Sequence, residues 1–592
     1  MDEPRSKGWF EMVQIRRRLY SKAAWIPLRE VRTEAHEDGA EEFYGSGCIA
    51  FYIDRRLEAE KLGWSEIGIC HDAGPYAFED GRYKICETYK YNGKEDLGFD
   101  LVFVQRFSGD HPDIWHLNQD LVFALRLLQE GDVWIKPDEG HVEVVRQSRD
   151  AAGAVKSIEI KSEFLRDYLT ARGAALKIAL YRERSQVVEN ASHIDWPKGR
   201  LSHDTEDSRY EGRLLEVDRD GGLYGGGVAV FHVWRTDVDL EEEVPVYGSE
   251  GAGNTGSASR SFQRGGPKFF RIVGEFWREE WIEPASRSER VRGDEPTEVL
   301  SFIIDGAGNR ELSTNLYDED VGRWLWFNPA VVSVVMNRRG GGLAWYTAET
   351  GSVWCSVDCK THFGVNSAGL VNVYACDIAK LPIWQQRIWA SYNVTPDSPV
   401  SIELLMSQMQ ASPAITLAPE AQLRVLFDDL DKAAINWTGQ ALFKEHDAAP
   451  SILLTIHRFR ALEGQGILAL AKDVARLVAD RIDIGGLRKL ASPSQGEKWG
   501  SLKSLEKALA TIVGEGDARI MLAPLVGVYE LRLGDAHLPS SEIDEAYSLA
   551  GVDQNIPRLE QGRQLLTTVV QALVRIRDVM LTARPPVVST RD

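Results

Sequence analysis

A change of hydrophobic period at "SPAITLAPE", Ser412 to Glu420, constrains this chain more than any other feature. Before it, "GCIAFYID", "FDLVFVQRF" and "DVWIKP" are short runs of branched and aromatic residues, the mark of strands. After it, apolar residues recur every third or fourth position through "EAQLRVLFDDLDKAAINWTGQALFKEH", "GQGILALAKDVARLVADRI", "KWGSLKSLEKALATIVG", "APLVGVYELRL" and "QGRQLLTTVVQALVRIRDVM". Residues three and four apart share one helix face, so this half reads as a helical bundle joined by short Gly, Pro and Ser turns. The expected fold class is α+β multidomain: a mixed, β-rich N-terminal and middle region followed by a C-terminal all-α bundle.

At 592 residues the chain exceeds one hydrophobic core, and its compositional breaks suggest where it divides. They give a mixed α/β region over 1–247 and a Gly/Ser-rich linker or loop over 248–266, "GSEGAGNTGSASRSFQRGG". A Trp-rich mixed β domain over 267–395, a connector over 396–418, a helical domain over 419–583 and a frayed tail over 584–592 follow. Within the first region, Leu117 to Gly131 has helical spacing, "HVEVVRQSRDAAGAVKSIEIK" reads as a β-hairpin, "SEFLRDYLTARG" as a helix and "ALKIALYRE" as a strand. The Trp-rich runs "RWLWFNP", "AWYTAETG", "VWC" and "IWQQRIW" fit a packed core, with an exposed base-stacking platform as the alternative.

The composition, 43% hydrophobic with 17 Trp, is that of a folded chain. A formal charge of −20 excludes a generally basic surface and leaves room for one local basic cleft. "MDEPRSKGWFEMVQIRRRLYSKAAW" lacks the apolar stretch of a secretory signal, and no run approaches the ~20 apolar residues of a bilayer span. Six cysteines in a chain this long match reduced usage, so a cytoplasmic protein without a membrane partner is expected.

In "ELRLGDAHLP", Arg532 ends a helix and His537 follows five positions later, an R-x4-H spacing that recurs at Arg106 and His111. A compact C-terminal bundle with R-x4-H at the end of a long inner helix resembles the HEPN superfamily. Many of its members are metal-independent ribonucleases of bacterial toxin–antitoxin and antiviral systems. The resemblance covers about the last quarter of the chain, and Leu533 stands where the family usually has Asn, Asp or His after the arginine. It implies an endoribonuclease effector of abortive-infection type, with RNA as substrate, no cofactor and a homodimer that pools two Arg/His pairs. The N-terminal region would then be a sensor or regulator with a protein or nucleic-acid trigger. RNA carries its own nucleophile, the 2′-OH, so a base and a cation suffice. On that resemblance His537 would exchange the proton and Arg532 would hold the phosphate. The structural alternative has Arg532 capping a helix C-terminus through the dipole. Arg458, Arg460, Arg488 and Lys489 either line an RNA path or form a solvated helix face.

Other patterns point elsewhere. Asp138, Glu159 and Lys161, around the hairpin, resemble the PD-(D/E)xK nuclease core, in which two carboxylates bind Mg2+ and the lysine helps activate water; 117–185 would then be a metal-dependent DNA nuclease. Cys355, Cys359, His362 and Cys376 have the ligand types of a zinc site without the usual two-residue knuckle, and a buried core thiol at Cys376 is the alternative. "GGLYGGG" and "GAGNTG" lack the Lys-Ser/Thr of a phosphate loop. A non-enzymatic binding or scaffold protein with a dimerising bundle completes the set.

Overall fold

The computed structural model describes residues 5–68, 97–105, 112–218, 268–296, 298–319, 322–356, 359–462, 465–533 and 540–583, with the strands at 76–79, 82–85, 227–234 and 255–262. The chain is α+β and divides into two units, Met1–Thr297 and Glu298–Asp592.

The first unit is organised by an eleven-stranded sheet whose pairs are all antiparallel. In chain order its strands are β1 (Trp25–Ala35), β2 (Ala40–Tyr52), β3 (Gly98–Asp100), β4 (Leu128–Glu130), β5 (Val133–Lys136) and β6 (Val142–Arg149). They continue with β7 (Val155–Lys161), β8 (Ala174–Val188), β9 (Arg200–Asp204), β10 (Ser208–Asp218) and β11 (Lys268–Ile282). The spatial order is β9-β10-β11-β8-β2-β1-β7-β6-β5-β4, with β3 attached to β2. One face buries Ile26, Leu28, Ile158, Ile160, Leu176 and Ile178 against Phe164, Leu165 and Leu169 of helix α3, Ser162–Arg172. That helix stops where Gly173 takes φ +62°, a conformation glycine adopts without strain. Two short helices, α1 (Lys7–Glu11) and α2 (Val13–Arg17), precede the sheet; from this segment Phe10 packs with Ile272, and Met12 with Tyr44, Leu180 and Phe276.

The expected hairpin is β6–β7, with Val145 opposite Ile160 and Arg146 opposite Glu159. Leu117 to Gly131 departs from expectation. Only Gln119–Ala124 is helical, and Leu128–Glu130 is strand β4. Arg126 takes φ +54°, a left-handed turn that ends the helix before its apolar repeat is used up. The boundary after residue 266 is also corrected. β11 lies between β8 and β10, from Leu176↔Ile282 to Val188↔Phe270 and from Ser208↔Arg278 to Asp218↔Lys268, so it belongs to the first unit. Within the stretch expected to be a linker, Thr255–Phe262 pairs antiparallel with Gly227–Trp234. Composition there hid a strand because glycine is depleted in strands, although its backbone can still pair.

The second unit joins the Trp-rich region and the helices, which were expected to be separate domains. Its six-stranded sheet comprises β12 (Trp324–Phe327), β13 (Gly342–Trp345), β14 (Thr350–Trp354), β15 (Lys360–Val365), β16 (Val371–Tyr374) and β17 (Asn393–Val394), ordered β13-β14-β15-β16-β12-β17. Phe327, Phe363 and Trp389 share one apolar cluster with Phe459 and Leu559 from the helical half, which is why no boundary forms near 418. The Trp-rich segment thus supplies core, with Trp389 fully buried at 4.9 Å from Phe327. The expected connector contains helix α4, Ile402–Gln410. The bundle consists chiefly of α5 (Pro419–Thr438), α6 (Ile467–Leu477), α7 (Ser501–Val513), α8 (Glu515–Leu533), α9 (Ser540–Ala550) and α10 (Arg558–Thr582). No helix among the described residues is long and apolar enough to cross a membrane. The tail at 584–592 lies outside the described residues.

Candidate functional site

Helix α8 runs through the bundle core, burying Ala518, Leu522, Leu525, Val528 and Leu531. Gly527 lets α9 approach closely: a Cβ there would lie 2.3 Å from the Ala550 nitrogen. Arg532 is on the last turn, where a cation also suits the helix dipole. Its Nη1 donates to both oxygens of Asp480, each at 2.6 Å. The two side chains keep 30% and 37% of their exposure, so solvent reaches the pair. Among the described residues, Nε and Nη2 of Arg532 have no acceptor. Nearby in sequence, burial pushes the Glu530 carboxyl above its usual range, and Glu545 and Glu542 add like charge. His537 lies outside the described residues, as do Arg106 and His111.

The hairpin residues are not brought together. Asp138 is in the 3-10 turn Pro137–Glu139 before β6, paired with Arg126 at 3.6 Å and Lys136 at 3.7 Å. Glu159 lies far along the hairpin, opposite Arg146, which donates to it at 2.7 Å. Lys161 ends β7 with its Nζ 5.5 Å from the Trp25 ring centroid. Glu130, near the end of the stretch expected to be helical, is in strand β4.

The basic set separates as well. Arg458 is not on a solvated face: it is 1% exposed, and Glu420, its carboxylate partner, is 3% exposed. Nε and Nη2 of Arg458 reach the two oxygens of Glu420 at 2.8 and 2.9 Å. Nη1 reaches the Ala348 carbonyl at 3.0 Å, and the guanidinium lies 4.0 Å from the Trp345 ring centroid. Burial pushes Glu420 up, but the charge and hydrogen bonds of Arg458 outweigh it and hold the carboxyl below its usual range. Arg460 pairs with Asp473 at 3.3 Å, whereas Arg488 and Lys489 are exposed.

Cys355 and Cys376 are buried free thiols, Cys359 is half-buried, and Cys376 donates to the Tyr317 carbonyl at 3.2 Å. His362 Nδ1 is 2.7 Å from Gln408 Nε2. Among the described residues, no three His, Cys, Asp or Glu side chains gather as metal ligands would.

No sequence motif marks a cavity of about 280 Å³ in the first unit, between the segment around the end of α2 and strands β1, β2, β8 and β11. Its signal was the alternation of Glu30, Arg32 and Glu34 in "LREVRTEA" and the charged run Arg182, Glu183 and Arg184 in "LYRERSQ". Arg32 Nε pairs with Glu30 at 2.6 Å, and Arg182 and Arg184 converge on Glu42. The hydroxyls of Tyr20 and Tyr44 are hydrogen-bonded to each other. Arg278 donates to the carbonyls of Arg18 and Arg16, fastening the end of α2 to the sheet. Burial pushes the Tyr20 and Tyr44 hydroxyls up, and it raises the Glu30 carboxyl against the opposing charge of Arg32. Comparison with family models, with curated proteins and with solved structures gives no match.

Proposed function

We propose that this chain is a metal-independent endoribonuclease effector with Arg532 and His537 as its reacting pair. Its first unit acts as sensor or regulator, in cytoplasmic antiviral defence of the abortive-infection kind. The observation that supports this is the state of Arg532. A guanidinium at the exposed end of α8 has one nitrogen on a carboxylate and two others with no acceptor among the described residues. A phosphate can take the place of Asp480 there, because an exposed pair of this type contributes only ~0–1 kcal/mol to the fold. His537 removes the 2′-OH proton, the 2′ oxygen bonds to phosphorus, and the bond to the 5′ oxygen breaks as that oxygen is protonated. Arg532 stabilises the charge building on the phosphoryl oxygens. A homodimer brings two such pairs to one substrate.

The test incubates whole protein with labelled RNA, and with single- and double-stranded DNA, in EDTA or Mg2+. RNA should be cut in EDTA, leaving 2′,3′-cyclic phosphate ends. His537→Ala should lower the rate ~10²- to 10⁴-fold, the usual yield of a positioned acid or base. Cleavage of DNA alone, only with Mg2+ and unchanged in that variant, would contradict the proposal.

A further inference from the structure

The lining of the cavity in the first unit is continuous with a more basic hollow beside it, and a β-bulge explains why. In β1, Ile26 and Leu28 face the apolar core, so Trp25 and Pro27 face away from it. The pairing of β1 with β7 slips between Pro27 and Arg29, which reverses the parity of the strand. Beyond the slip, Val31 packs on the core while Glu30, Arg32 and Glu34 line the cavity. Trp25 thus shares one face with these three residues.

The adjoining hollow, about 450 Å³, shares Arg18, Trp25 and Glu159 with the cavity. It adds Arg17, Lys22 and Arg146, so four cations meet one carboxylate, and that carboxylate already holds Arg146 at 2.7 Å. Among the described residues, the side chains of Arg17, Arg18 and Lys22 have no ion-pair partner. In a chain of net charge −20 this unneutralised cluster stands out as an anion site. The inner cavity differs: Trp25, Tyr44 and Phe276 supply aromatic walls, and Glu34 is a carboxylate with no partner among the described residues.

We propose that this joined cavity binds a phosphorylated nucleoside. The phosphate lies at Arg17, Arg18 and Lys22. The base enters the aromatic part, and Glu34 accepts hydrogen bonds from sugar hydroxyls or an exocyclic amine. An inner space of about 280 Å³ suits one nucleoside, not a strand. The site stands independently of RNA cleavage, since it uses none of the bundle residues.

The test titrates the whole chain by calorimetry with the four nucleoside 5′-monophosphates, inorganic phosphate and a single-stranded oligoribonucleotide. At least one monophosphate should bind more tightly than inorganic phosphate and no more weakly than the oligonucleotide. Arg18→Ala should weaken it about tenfold, as expected for one lost charge-assisted contact, while the Arg18 carbonyl that anchors Arg278 remains. Glu34→Gln should weaken the nucleotide and leave phosphate unchanged. Equal binding of phosphate and nucleotides, a preference that grows with strand length, or no heat with any nucleotide would each overturn the proposal. Both substituted side chains are exposed, and unchanged melting of the unliganded variants establishes that they fold.

Discussion

Two arginine–carboxylate pairs in the second unit contain the same chemistry in opposite settings. Arg458 and Glu420 are sealed beneath the Trp345 ring, with each oxygen of Glu420 engaged. Arg532 and Asp480 meet at the open end of α8 through a single nitrogen. The closed pair is sealed from solvent, whereas the open pair is reached by solvent and, on the proposed function, exchanges its carboxylate for a phosphate. The kind of residue therefore does not mark a site; access and unused donors do.

The strongest way to break this comparison is Arg458→Ala, which leaves Glu420 buried without its cation. A loss of ~3–5 kcal/mol in urea unfolding is expected. Replacing both partners with apolar residues should recover much of it, since the uncompensated charge is then gone.

The pH dependence of the closed region comes next. Burial lowers the neighbouring His457 to about 4, with only partial opposition from Glu420. The unfolded chain takes up that proton near pH 6.5 and the folded chain only near 4. Stability from this group is therefore complete above 6.5 and falls by about 3 kcal/mol as pH drops to 4. Glu420, held below its usual range, adds a further loss in acid, once pH falls below its unfolded value. His457→Gln should reduce the slope of unfolding free energy between pH 4 and 6.5 by one proton.

A smaller effect should follow Gly527→Ala, which forces α9 away from α8 and should cost ~1–3 kcal/mol in thermal or urea unfolding. Asp480→Asn should change stability by no more than about 1 kcal/mol, and it should strengthen RNA binding if the carboxylate competes with phosphate. Lowered RNA affinity in that variant would show the pair to be part of the fold.

Much of this contrast could not be read from the sequence. The helices of the bundle were legible, because the apolar repeats of α5, α7 and α10 are local and match the helical period. The hairpin β6–β7 was legible for the same reason, with a Gly-containing turn between two alternating runs. β11 was not: it pairs with β8 and β10 across a long intervening stretch, and such register has no local signature. Arg458 in "HRFRAL" looks like part of a solvated basic face, and only the 3-10 turn Arg458–Leu462 with Glu420 beneath it buries the guanidinium. The bulge in β1 reverses the alternation on which any strand-face assignment depends, so the joined lining of Trp25 and Glu30 was hidden. Of the Arg/His pair, the structure places Arg532 at the helix end that the periodicity implied.

The most direct measurement follows Arg532→Ala through two readouts on one preparation: the unfolding free energy, and the rate of RNA cleavage in EDTA. An open, exchangeable arginine predicts stability within about 1 kcal/mol of the parent protein. It also predicts cleavage reduced ~10²- to 10³-fold, the usual yield of a lost charge-stabilising donor. Undiminished cleavage, or a stability loss as large as that of Arg458→Ala, would contradict the account.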